Sequence, residues 1–122
     1  MSKILLAEDV DGARVLYRTI LEAAGHVVTE ACDGCQCLDR LISGAFDLLV
    51  TDVVMPGLDG VEVIKAARNI RPGLPIIAIS GGEPDFPAAA ALNLSSMYGA
   101  DVALFKPFKA ERLIEAVRSL LG

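Results

Sequence analysis

Five short apolar, β-type runs alternate with stretches of helical periodicity, and this alternation most constrains what the chain can fold into. KILLAE (3–8), HVVTEA (26–31), DLLVT (47–51), LPIIAIS (74–80) and VALFK (102–106) read as strands. Several are almost continuously apolar, as strands covered on both faces are. Between them, Ala13, Leu16, Ile20 and Ala24 share a helix face, as do Cys35, Leu38 and Ile42. Val63, Ile64, Ala67 and Ile70 form a third face, and Leu113, Ala116, Val117 and Leu120 the last. A further helix is expected over 88–98, its start delayed by Pro84 and Pro87. Five βα units in a row imply an α/β, doubly wound fold: a parallel sheet with helices on both faces and right-handed crossovers.

A chain of 122 residues is expected to form one domain spanning 1–122, with no output domain after Gly122. Apolar residues make up 53% of it, enough for a sizeable core and too many for a disordered chain. Net charge is −5 with no basic cluster, and there is no tryptophan. Phosphate contacts need Lys and Arg on one face, and base stacking needs aromatics, so no nucleic-acid partner is expected. No apolar run approaches the length of a membrane span, and MSKILLAEDV does not read as a signal peptide. A cytoplasmic monomer is the default expectation.

In doubly wound sheets ligands bind beyond the carboxyl ends of the strands. The first strand runs into Glu8-Asp9, the third into Asp52, the fourth into Ser80-Gly81-Gly82 and the fifth into Lys106-Pro107. If the strands are neighbours, these groups converge on one rim. Three carboxylates there repel one another and suit a hard divalent cation, with Mg²⁺ the default. Cation, ammonium, hydroxyl and backbone N–H together suit a phosphoryl group, with a carboxylate as the attacking group.

These residues also carry a resemblance. DVVMPGLDG around Asp52, the acidic pair of AED, the hydroxyl of ISG and the terminal KPF stand in this order on the five βα units. Together they resemble the receiver domain of two-component response regulators, over essentially the whole chain. The resemblance implies a flavodoxin-like (βα)5 sandwich with strand order 2-1-3-4-5. It implies Asp52 as phosphoacceptor, taking a phosphoryl group from a phosphohistidine. Asp9, Asp52 and the Val54 carbonyl would bind Mg²⁺ directly and Glu8 through water. Ser80 and Lys106, beside the open Gly81, would hold the phosphoryl oxygens. A cis peptide is frequent in the family at the position of Lys106-Pro107. Such a domain is a phosphoacceptor switch, not an enzyme, with at most weak self-phosphorylation from small donors and self-dephosphorylation. The expected donor is a sensor histidine kinase or histidine phosphotransfer protein, and the output is control of a downstream protein. A diffusible single-domain effector is the first reading. A phosphorelay intermediate, passing the group on to a histidine phosphotransfer protein, is the alternative.

Two departures stand out. The family's switch aromatic lies three residues before the lysine, where this chain has Ala103; Phe105 and Tyr98 are the candidate substitutes. The stretch from Ser80 to Lys106 is also a few residues longer than is common, and 81–99 reads as a shaped loop before a helix, either a distinct partner surface or a tolerated insertion. A thiol redox protein using Cys32 and Cys35 is the rival from another class, because C-x-x-C sits between a strand and a helix. Against it, Asp33-Gly34 makes an ordinary turn, and small buried residues are the plainer reading of the cysteines. His26, in a helix-to-strand turn, is expected to be solvated.

Overall fold

The computed structural model describes residues 2–53, 60–80 and 99–122. Five strands, β1 (Lys3–Ala7), β2 (Val27–Ala31), β3 (Leu48–Asp52), β4 (Ile76–Ser80) and β5 (Val102–Phe105), form one parallel sheet in order β2-β1-β3-β4-β5. Four helices are described: α1 (Asp11–Ala23), α2 (Gly34–Ser43), α3 (Gly60–Ile70) and α4 (Ala110–Leu121). The expected helix over 88–98, with Tyr98, and the Met55-Pro56-Gly57 turn lie outside the described residues.

The near-continuous apolar strands are explained by two cores. Successive side chains of a strand point to opposite faces. Leu5, Ala7, Leu49, Ile76 and Ala78 face one layer with Cys37, Leu41, Val63, Ile64 and Ala67. Ile4, Leu6, Leu48, Val50, Ile77, Ile79 and Leu104 face the other with Tyr17, Leu21, Leu113, Ala116 and Val117. In β1, β3 and β4, burial on both faces keeps charged residues to the strand ends. The polar groups therefore collect at the rim.

The apolar faces of α3 and α4 are the expected ones, with Ile70 and Leu120 half-buried at their edges. Those of α1 and α2 are corrected. On α1 the stripe is Ala13, Tyr17, Ile20 and Leu21, while Leu16 is 56% exposed and Ala24 is exposed. On α2 it is Gly34, Cys37, Leu38 and Leu41, at spacings of three, four and seven. Cys35 is exposed and Ile42 is 68% exposed. Both errors are a rotation by about one residue, within what a 3.6-residue period tolerates. The reading of the cysteines as small buried residues holds for Cys37 alone; Cys32 and Cys35 are exposed free thiols. His26 is half-buried, with Nδ1 enclosed and lacking a partner among the described residues.

One side chain ties the sheet to the chain segment entering β5. The Arg68 guanidinium donates to the carbonyls of Gly99, Pro72 and Leu74, and pairs with Asp101 at 2.7 Å. Asp101 Oδ2 in turn accepts from Ile76 N–H at 2.8 Å. Gly99 has φ of +98°, and a Cβ there would lie 3.0 Å from Arg68 Nε, so glycine is required on both counts. Arg68→Ala strips the donor from several carbonyls at once. It is expected to lower unfolding free energy in urea by about 2 kcal/mol.

Candidate functional site

The parallel ladder sets the site. Leu6 pairs with Val50 and Ala7 with Thr51, so Glu8 leaves β1 level with Asp52. Backbone bonds continue the register past the strand ends: Glu8 N–H to Ala31 carbonyl at 3.1 Å, Val53 to Ile79 at 2.8 Å and Lys106 to Ser80 at 2.8 Å. Each polar side chain thus projects from a backbone already held by its neighbours.

Three carboxylates meet there. One oxygen from each of Glu8, Asp9 and Asp52 lies within 4.8 Å of the other two. Glu8 is 1% exposed and Asp52 5%, so neither charge is relieved by water. Lys106 comes from the far edge of the sheet to meet both. Its Nζ donates to Asp52 Oδ2 at 2.9 Å and to Glu8 Oε1 at 3.1 Å. Ser80, 2% exposed, ends β4 on the same rim. The Lys106–Pro107 peptide is cis. Phe105 is half-buried in the last position of β5, and Ala103 lies two residues before it. The Val54 carbonyl and Gly81 lie outside the described residues.

The electrostatics follow from crowding. Burial first, and then the adjoining Asp52 carboxylate, push the Glu8 carboxyl up to about 8 against the opposing pull of Lys106. Burial alone would pull the Lys106 ammonium down. Its hydrogen bonds and charge contacts with Asp52 and Glu8 outweigh that and hold it above its ordinary value. One ammonium faces three carboxylates. Glu8 Oε2 is enclosed and has no hydrogen-bond partner among the described residues. An orphaned buried carboxylate oxygen beside two further carboxylates is the donor set of a hard divalent cation, and the residues fit Mg²⁺.

Two side chains of the site come from α1 and were missed in the sequence. Arg14 Nη1 donates to the Glu8 carbonyl at 2.8 Å while its other end pairs with Asp11 at 2.5 Å, fixing the backbone where β1 turns into the site. The Asp11–Arg14 spacing was the available clue. Tyr17 is 6% exposed. Its ring stacks on Phe108, with centroids 5.5 Å apart, and lies 6.0 Å from Lys106 Nζ. The exposed thiols belong to a different arrangement. Cys32 Sγ donates to Gln36 Oε1 at 3.0 Å, and Asp33 caps α2 by accepting from Gln36 N–H at 2.8 Å. The buried Cys37 thiol is pushed up to about 12 by its burial and is inert at neutral pH.

The chain is also similar to known proteins. The model of the response regulator receiver domain matches residues 4–118. The receiver protein CpdR of Brucella abortus is 39% identical over 122 residues, covering 99% of this chain and 98% of that protein. The response regulator MprA of Mycobacterium tuberculosis is 37% identical over 119 residues, and there the chain spans half of the relative's length. The chemotaxis protein CheY4 of Vibrio cholerae superposes with a TM-score of 0.87 at 29% identity, over 99% of both chains. A CheY-like receiver from Methanospirillum hungatei gives 0.89 at 26% identity, covering 99% of this chain and 94% of its own. With fold, match and whole-length relatives in agreement, the chain belongs to the response regulator receiver domains, the phosphoacceptor switches of two-component signal transduction.

Proposed function

We propose that Asp52 is the phosphoacceptor, that Glu8, Asp9 and Asp52 hold Mg²⁺ with the Val54 carbonyl, and that phosphorylation controls a downstream protein. The observation that carries this is the buried Asp52 carboxylate, paired with Lys106 and grouped with two further acids at the carboxyl end of β3. A receiver implies a cognate histidine kinase, so the donor is a phosphohistidine of that kinase or of a phosphotransfer protein. An Asp52 oxygen attacks phosphorus, a P–O bond forms as the P–N bond breaks, and the leaving imidazole takes up a proton. Bound Mg²⁺ supplies charge neutralisation at the phosphoryl oxygens. Lys106 exchanges its bond to Asp52 Oδ2 for a bond to a phosphoryl oxygen, and its charge is already in place when the transition state forms. Ser80 and the Gly81 backbone bind the remaining oxygens. Water later hydrolyses the acyl phosphate. Phe105 is the candidate on β5 for the aromatic that responds, since Ala103 has no ring.

The diffusible effector is the reading we favour, because a chemotaxis protein, CheY4, is among the relatives, and this chain spans 99% of its length. The test is to incubate the chain with a phosphorylated histidine kinase, with Mg²⁺ and with a chelator. Transfer to the chain is expected only with Mg²⁺. Label that then passes quantitatively to a histidine phosphotransfer protein would favour the relay instead.

A further inference from the structure

We propose that Tyr17 is a positioning residue for Lys106: stacked on Phe108 and set beside the ammonium, it holds Nζ over the carboxylates of Asp52 and Glu8. The proposal deepens the reading of Asp52 as phosphoacceptor and rests on it for its kinetic consequence. Its geometric content is independent.

The argument begins with the demands on Lys106. The side chain crosses from the edge strand to acids on β1 and β3, and 27% of it remains exposed. A lysine stem has four rotatable carbons and a strongly hydrated head, so an unrestrained one samples solvent. Two of its three donors are taken by Glu8 and Asp52. One of these bonds must be released when Asp52 carries a phosphoryl group. Something else has to keep the head in place during the exchange.

Tyr17 meets that need from the α1 side. Its ring is buried in the core layer that holds Val50, Ile79 and Leu104, so its position is fixed by packing. Phe108 lies two residues beyond Lys106, and its stacking on Tyr17 couples the chain just after the lysine to α1. The ammonium, 6.0 Å from the ring centroid, is at the outer reach of cation–π attraction. Burial is the largest influence on its phenol and raises the pKa, and the charges of Lys106, Glu8 and Asp52 act on it next. A phenol is uncharged at neutral pH, so the ring adds nothing to the negative charge of the three acids. An aliphatic residue at position 17 would fill the core and offer neither the stack nor the π face.

Phosphoryl uptake from acetyl phosphate, with Mg²⁺, is measured by intact mass in the parent, Tyr17→Leu, Lys106→Met and the double variant. Tyr17→Leu keeps an apolar side chain in the core and removes the ring that stacks on Phe108 and lies beside the ammonium. We expect it to slow uptake about tenfold, as the lysine head loses its restraint. In the Lys106→Met background the same change is expected to do nothing further. An unchanged rate, or the same factor in both backgrounds, overturns the proposal, because a merely structural tyrosine acts independently of Lys106. A second reading needs no phosphoryl donor. In isotope-labelled tyrosine NMR at neutral pH, the Tyr17 signal is expected to move on Lys106→Met, and a signal that stays in place overturns the contact. A parent that takes up no phosphoryl group sinks the phosphoacceptor reading, and the NMR result then judges the positioning claim alone.

Discussion

Without Mg²⁺, Glu8→Gln protein gains stability relative to the parent as pH rises from about 5 to about 8, by roughly 3 kcal/mol. The Glu8 carboxyl is raised from 4.5 to about 8 in the folded chain, by burial first and then by Asp52. Between those values the folded state binds more protons than the unfolded one. Stability therefore falls with rising pH across that window and levels off above it. Glutamine is neutral throughout, so the variant lacks this slope. Groups out of contact with Glu8 contribute equally to both proteins and cancel in the difference, while Asp52 and Lys106 are coupled to it and set the size of the slope. Mg²⁺ binds the ionised acids, so it is expected to restore parent stability at about pH 8 and to do little at about pH 5. Urea unfolding at the two pH values, with and without Mg²⁺, measures all four. Parallel pH curves for parent and variant would contradict the placement of Glu8.

Lys106→Met is expected to lower the rate of phosphoryl uptake by about a hundredfold or more, as loss of a preorganised charge at the developing oxyanion does. Its effect on stability is smaller, about 1 kcal/mol. Lys106 is partly exposed, and Glu8 can take up a proton when the ammonium is lost, which removes most of the uncompensated charge. The methionine stem also retains the packing beside Tyr17. A variant that unfolds but keeps its rate when folded would assign Lys106 to structure alone. Rate loss at near-parental stability assigns it to the chemistry.

The strand-end residues were legible because the strands are apolar on both faces. A charged residue that breaks such a run in a central strand stands at the rim, and Glu8 and Asp52 each break one, with Ser80 and Lys106 at the ends of the neighbouring strands. Parallel strands with right-handed crossovers then bring those ends together. What helices contribute was harder to see. Leu16 and Tyr17 are one residue apart, and hydropathy favours the leucine, yet Tyr17 faces the core and Leu16 faces out. Tyrosine buries its ring and offers its hydroxyl, and a hydropathy stripe sees neither. On α2 the first buried position is Gly34, which carries no apolar signal, so hydropathy starts the stripe one residue late, at Cys35. The Asp11–Arg14 spacing marks an ion pair on the helix, while the bond from Arg14 to the Glu8 carbonyl has no signature in residue types.

The most direct test of the account is the intact mass of parent and Asp52→Asn protein after exposure to a phosphorylated histidine kinase or to acetyl phosphate, each with Mg²⁺. Asparagine keeps the shape of the side chain and removes the nucleophilic carboxylate. One phosphoryl adduct on the parent, labile to hydroxylamine and absent from Asp52→Asn, is the predicted result. An adduct of equal yield on the variant, or none on the parent from either donor, would contradict it.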